Sequence, residues 1–505
     1  MTLSLPSIPA GALLILSVYT AYYFLSTYWR LRDFPGPFWA KFTDFERMFW
    51  VKTMRGHEIH WNAHEKYGEV VRVGPNTISL ADPAAIPTLY PMRPGFPKSK
   101  FYRGIMPYTK GGAMPAVFTT QDENQHRTLK TPVASLYLLS NVIQFEPFVD
   151  EEISVLFEQL DKRFVTTQNT FDLADWIQYF AYEVMGTMTF SRRYGFLEQG
   201  KDVNGLLRAV WDFMLAVGPM TQFPTLDRIL YKSFVADILR NYVAVPILRI
   251  VAQHVEDRQK QSYHDYEKDA RIPHGDFLSH FLQIQDTNPT IPDWSCKVWT
   301  FSNVIAGSDS TTAVMRALIY NLLAHPESLN KLMEEFSDAD KKSQLTRPYP
   351  KWNEVKDLPY LDACVNEAVR LHPPFILPLE RVAPKGGVMI GGRHYPEGTC
   401  IGMNAYVVNR HRPTFGDDAD SWRPERFLTE DLALKKRREN GMMTFGHGRR
   451  VCLGKYIAYL EIKKITPALL LNYEIELLDP KSYFVESSYF FRQQGINVKI
   501  RRRDF

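Results

Sequence analysis

The chain has 505 residues, 45% of them hydrophobic and 23% charged, with a net charge of +4. That length allows about three domains at roughly 100–200 residues each, or one large fold, and supplies ample material for a buried core. The mild charge, with no basic stripe or arginine-rich tract, argues against a nucleic-acid binder. The four cysteines, at 296, 364, 400 and 452, contain no C-x-x-C pair. Neither a zinc site nor a redox dithiol is suggested, and so few cysteines in so long a chain point to a reduced compartment.

Residues 1–29 carry no charged side chain, and Ile8 to Trp29 is almost wholly apolar or aromatic. A helix needs about 20 such residues to cross a hydrocarbon core. Tyr22, Tyr23, Tyr28 and Trp29 fall where an interfacial aromatic belt is expected, and Arg30 and Arg32 follow at once. The positive-inside rule then places the bulk of the chain in the cytosol. A cleaved signal peptide would want a basic start and a shorter apolar core. The expectation is therefore an anchor over 1–29 and a basic, proline-rich hinge over 30–40 that includes Pro35-Gly36-Pro37.

Two short strands are predicted within 68–82, separated by a Gly-Pro-Asn turn. From about 120 to 336 the texture is mostly helical. The loop from Lys98 to Thr119 carries Lys98, Lys100, Arg103 and Lys110 among aromatics. These basic residues are expected at the surface, with capture of a substrate carboxylate as the sharper reading. A helix of about 30 residues is predicted over Asp293–Ala324, stopped by His325-Pro326. Its centre reads Ala306-Gly307-Ser308-Asp309-Ser310-Thr311-Thr312. Glycine costs about 1 kcal/mol in a helix interior, and the hydroxyls compete for backbone carbonyls. Either that stretch faces solvent, or the helix opens there to hold O2, water or a proton relay.

A second strand-rich part is expected over about 375–410, with turns at Gly391-Gly392 and Glu397-Gly398. Helix returns from about Leu453 to Leu471, and the tail alternates like a hairpin. Helices outnumber strands, so the fold class is mainly α with a smaller β-rich part. The basic run Lys435–Arg438 reads as a solvated face or a docking site for an acidic partner.

The most specific segment is Phe445-Gly446-His447-Gly448-Arg449-Arg450-Val451-Cys452-Leu453-Gly454. A glycine-rich loop lets backbone N–H groups approach the sulfur, and the following helix lays its positive end beside it. Both effects favour a thiolate. Arg450 is placed to meet a carboxylate. This segment resembles the haem-binding signature of the cytochrome P450 family, with Phe445, Gly448, Arg450, Cys452 and Gly454 at the five fixed positions. Further landmarks are similar to the family's and come in the same order. Glu367-Ala368-Val369-Arg370 resembles its Glu-x-x-Arg helix, and Pro424-Glu425-Arg426-Phe427 its Pro-Glu-Arg-Phe element. The stretch 306–311 resembles its oxygen-activation motif. The resemblance spans the chain from anchor to tail, with residues 41–505 as one haem-thiolate domain.

The resemblance implies haem b with Cys452 as the axial ligand, and a buried structural triad of Glu367, Arg370 and Arg426. Asp309 and Ser310 would deliver protons, with Thr311 sharing the task. Ser310 replaces the usual threonine and lacks its β-methyl, so its orientation is less fixed. The family's Trp-x-x-x-Arg helix is altered here, leaving His126 and Lys130 as the propionate-binding pair beside Arg381. Ala306, Phe375, Ile376 and Leu377 are expected to line an apolar pocket for a lipophilic substrate. Overall texture is similar to microsomal members from filamentous fungi that act in secondary metabolism.

The implied reaction inserts one atom of O2 into the substrate, with electrons from NADPH. No nucleotide-binding fingerprint is present, so NADPH–cytochrome P450 reductase is the expected donor, with cytochrome b5 as a second. Arg449, Lys455 and the 435–438 run could dock it. The expected location is the endoplasmic reticulum membrane, catalytic domain to the cytosol. Rival readings are a family member catalysing rearrangement, ring expansion or dehydration, a haem-binding sensor or carrier, and a ligand-free membrane protein.

Overall fold

The computed structural model describes residues 7–93, 95–106, 108–109, 112–233, 246–260 and 275–503. Lys110 and the first six residues of the expected anchor lie outside the described residues. Helix α1 spans Ser7–Arg30, where the anchor was expected. Among the described residues no helix is long and apolar enough to cross a membrane. Buried Arg72 holds the end of α1. Its guanidinium donates to the carbonyls of Thr27 (3.3 Å), Leu31 (3.1 Å), Lys41 (3.2 Å) and Pro75 (2.7 Å). The carbonyls near a helix C-terminus lack partners within the helix, and here a buried cation supplies them.

Strands β1 (Val70–Gly74) and β2 (Thr77–Leu80) form the expected antiparallel pair around Pro75-Asn76. With β3 (Arg381–Val382) and β4 (Cys400–Met403) they make a four-stranded sheet of order β1-β2-β4-β3. Strand β4 runs parallel to β2, Thr77 opposite Cys400 and Leu80 opposite Met403. Ile78, Leu80, Ile401 and Met403 from this sheet pack into one apolar cluster. In the tail, Phe484–Ser487 pairs with β5 (Phe491–Gln494) as the predicted hairpin.

The helical part is built around five elements: α2 (Glu123–Lys130), α3 (Leu173–Phe190), α4 (Leu206–Thr221), α5 (Ser295–Ala324) and α6 (Pro359–Leu371). After the cysteine loop comes α7 (Lys455–Asn472). Helix α5 runs through the middle, buried along most of its length, with α3 and α7 packed on it. A helix apolar nearly all round belongs in the core of a large protein. The largest apolar cluster joins Val304 and Leu318 of α5 to Phe180, Leu361, Ile376 and Leu460.

The polar centre of α5 neither opens nor turns wholly to solvent. The helix is continuous, and Ser308, Ser310 and Thr312 donate to the carbonyls four residues back, at 3.0, 2.5 and 2.8 Å. This back-bonding satisfies hydroxyls inside a helix without breaking it. Gly307 packs closely on α3: a Cβ there would lie 2.6 Å from the Met185 sulfur, so the Met185 side chain would have to shift.

Candidate active site

The loop from Phe445 to Gly454 is folded by its own backbone. The Gly446 N–H donates to the Met443 carbonyl at 2.9 Å, and the Cys452 N–H to the Phe445 carbonyl at 2.8 Å. Gly448 has φ +65°, and a Cβ there would stand 2.2 Å from the Tyr90 carbonyl oxygen. Only glycine meets both demands without strain. Of the four cysteines, all free, Cys452 alone is exposed. Surrounding protein still pushes its thiol above the ordinary value, while the Gly454 and Lys455 N–H groups and the nearby Lys455 and Lys130 ammoniums pull it down. Exposed Cys452 thus sits at the positive end of α7, where the two N–H groups and the nearby ammoniums favour a thiolate against burial.

Behind the loop sits the triad. Arg370 grips both oxygens of Glu367 at 2.8 Å, and Arg426 Nε donates to Glu367 Oε1 at 2.9 Å. All three side chains are fully buried. Two guanidiniums on one carboxylate are tolerable here because backbone carbonyls of Asn409, Ala419 and Ser421 take the remaining N–H groups of Arg370.

Near the cysteine loop the structure gathers cations. Arg450 pairs with Glu123 at 2.6 Å and donates to the carbonyls of Val117 and Thr120. Lys130 Nζ donates to the Arg449 carbonyl at 2.7 Å. Arg381 Nη1 donates to the Tyr102 hydroxyl at 3.1 Å. His126 is buried with both ring nitrogens unpartnered. Burial, then the charges of Arg450, Lys130, Lys98 and Arg449, lower its pKa to about 3. Lys98 corrects the expectation of a surface lysine. It is buried, its ammonium 4.1 Å from the Tyr102 ring centroid and 4.6 Å from that of Phe118, and it donates to the Phe118 carbonyl. Sequence reasoning also missed Tyr102 and Glu123. Only the position of Lys98 amid aromatics hinted at this, since residue type alone says nothing of burial.

On α5, Asp309 turns toward α3. Gln178 Nε2 donates to Asp309 Oδ1 at 2.9 Å and the Tyr182 hydroxyl to Oδ2 at 2.7 Å. Ser310 and Ala306 lie partly open, whereas Thr311 is buried. Phe375 is half-buried and packs edge-on against Phe101, Phe118 and Tyr489. Ile376 and Leu377 sit in the core with no exposure. The basic run splits: Lys435, Lys436 and Arg437 are exposed, but Arg438 is buried and donates to the Arg426 carbonyl.

These features define a cysteine-centred cofactor site on a helical fold. The chain belongs to the cytochrome P450 family, whose sequence model matches residues 35–497. It is 52% identical over 490 residues to a cytochrome P450 monooxygenase of Aspergillus flavus, covering 97% of this chain and 96% of that one. It is 54% identical over 482 residues to one of Sarocladium schorii, covering 94% and 93%. A third, of Penicillium brevicompactum, is 50% identical over 504 residues, covering 99% of this chain but 58% of that longer protein.

Membership implies a haem bound through a cysteine thiolate, and the residues present fit one. The Cys452 thiol is accessible, and a Cβ at Gly454 would meet nothing within 4 Å. Lys130, Arg381, Arg449 and Arg450 bring a surplus of positive charge against Glu123 and Glu380, with Lys98 and the neutral His126 beside them. Two propionates would offset that surplus, and the single N–H of the neutral His126 ring would gain an acceptor.

Proposed function

We propose that this chain is a haem-thiolate monooxygenase that inserts one oxygen atom of O2 into a lipophilic secondary metabolite, with Cys452 as the iron ligand. The observation that carries the reading is Cys452, the exposed cysteine of the four, reached by the Gly454 and Lys455 N–H groups at the start of α7. Bound haem supplies the redox chemistry, because a thiolate ligand pushes electron density toward O–O cleavage.

The chain's residues do the rest. Arg381, Arg450, His126 and Lys130 bind the propionates as charge-assisted donors. Phe445 closes one side of the cysteine loop, its ring 5.6 Å from that of Tyr459. Asp309 holds a proton at its carboxyl, Ser310 passes it on at its hydroxyl, and Thr311 stands behind as a second hydroxyl. Ala306 and Phe375 face the substrate, with Ile376 and Leu377 supporting them. Glu367, Arg370 and Arg426 keep the loop in place.

Electrons come from NADPH through a separate NADPH–cytochrome P450 reductase, with cytochrome b5 as an alternative donor. Exposed Lys435, Lys436 and Arg437, with Lys455 and Arg449, form the cationic face that would meet an acidic reductase. The chain is anchored by α1 in the endoplasmic reticulum, catalytic domain to the cytosol. Exposed Tyr22 and Trp29 on α1, and Phe38, Trp39, Phe45 and Phe49 beyond it, support contact with a lipid surface.

Retention of Asp309 and Ser310 favours oxygen insertion over rearrangement, ring expansion or dehydration. The test is turnover of a panel of lipophilic metabolites with reductase, NADPH and 18O2. The reading expects a product carrying one labelled oxygen per NADPH consumed. A product isomeric with its substrate, formed without NADPH, would overturn it.

A further inference from the structure

Asp309 and Ser310 are neighbours on α5, yet their side chains serve different partners. Ser310 bonds back along its own helix, while both oxygens of Asp309 are taken by α3. Gln178 is itself fixed: Arg316 Nη2 donates to Gln178 Oε1 at 2.9 Å, and Arg316 Nε to the Ala174 carbonyl at 2.8 Å. Arg316, Gln178 and Asp309 therefore form one directed chain of hydrogen bonds.

The same residues border a cavity of about 150 Å³ between α3, α4 and β5. Asp175, Asp202, Arg208, Arg316 and Arg492 line it together with Gln178 and Asp309. Arg208 is largely exposed, so the cavity that Asp309 borders also reaches solvent. That volume holds several waters, and the lining supplies their partners.

We propose that Gln178 is a positioning residue for proton delivery, holding Asp309 toward this polar cavity so that it reloads from solvent. The inference rests on the monooxygenase reading. A cavity water's O–H bond breaks as an O–H bond forms on the Asp309 carboxylate, and that water takes a replacement proton from the solvent the cavity reaches. Rotation about Cα–Cβ turns the carboxyl toward Ser310, where its O–H bond breaks as the proton passes to Ser310 Oγ and the hydroxyl releases its own proton to the reaction side. The carboxylate then returns to Gln178 and Tyr182. One proton enters and one leaves, with no electron moved. Burial raises the Asp309 pKa, and the bonds from Tyr182 and Gln178, then the charges of Arg316 and Arg492, oppose it.

The experiment uses the full-length haem-loaded protein with reductase and NADPH, and no substrate. Gln178→Leu and Tyr182→Phe are compared with the parent for hydrogen peroxide released per NADPH and for the solvent isotope effect on water formation. Both variants should raise the peroxide share and the isotope effect, and slow water formation roughly 10–100-fold, the cost of a misplaced proton-transfer group. A second readout needs no turnover. The infrared carboxyl band of Asp309, assigned with Asp309→Asn, should persist to higher pH in Gln178→Leu, because a donor to the carboxylate is gone. If both variants match the parent in peroxide share and band titration while Asp309→Asn changes the share, the inference is overturned. A parent lacking the thiolate-haem carbon monoxide band overturns the haem reading and this inference with it.

Discussion

Arg370 and Asn409 bond to each other in both directions. Arg370 Nη1 donates to the Asn409 carbonyl at 2.9 Å, and Asn409 Nδ2 donates to the Arg370 carbonyl at 3.0 Å. Asn409 also bonds Thr444 Oγ1 at 2.8 Å and accepts the Met443 N–H at 2.8 Å. One amide thus ties the buried triad to the strand of chain that leads into the cysteine loop. Asn409→Ala leaves buried polar groups without partners and should cost about 2–4 kcal/mol. Denaturant unfolding followed by haem absorbance would show haem lost at lower denaturant than in the parent.

Gly448→Ala should be worse. The added methyl meets backbone at Tyr90 and Pro91 rather than a movable side chain, and φ is +65°. Overpacking and left-handed strain together cost at least ~3 kcal/mol. The variant is expected to accumulate with little bound haem. Gly454→Ala, with nothing within 4 Å of the new Cβ, should keep its fold, so any haem loss there would reflect crowding on the cofactor side.

Arg72→Met removes the cation that gathers the last carbonyls of α1. Losing several charge-assisted bonds to buried carbonyls should cost roughly 3 kcal/mol. Limited proteolysis should cut the 30–40 hinge faster than in the parent, with the cysteine loop unaffected.

Glu152 sets a pH dependence. It is fully buried, with Arg193 Nε 3.1 Å away. Burial raises its pKa to about 8, against the opposing charge of Arg193. The folded state therefore binds a proton more tightly than the unfolded state, where the value is 4.5. Its contribution is full below the unfolded value and lost as pH rises through about 8. Thermal midpoints should fall across that window, and Glu152→Gln should flatten the fall. An unchanged slope in the variant would contradict the assignment.

Much of the site was legible because its signals are local. The spacing from Phe445 to Gly454 and the i, i+3 pairing of Glu367 with Arg370 need no tertiary knowledge, and the three-residue step on a helix face brings that pair together. The 30-residue helix was legible from its apolar length and its His-Pro stop. What stayed hidden depends on elements distant in sequence. Gln178 and Tyr182 meet Asp309 across more than 120 residues, and nothing in their own neighbourhood marks them. Lys98 and Arg438 looked like surface charges because burial of a cation depends on carbonyls and rings brought in by the fold. The back-bonding that keeps α5 closed at Ser308, Ser310 and Thr312 competes evenly with opening, so composition could not decide it.

The central claim is the bond from Cys452 to haem iron. The most direct measurement is the absorption spectrum of the reduced protein with carbon monoxide, for the parent and for Cys452→Ala. The account predicts a strongly red-shifted Soret band in the parent that is absent from the variant. A parent spectrum like that of histidine-ligated haem, or the same band in both proteins, would contradict it.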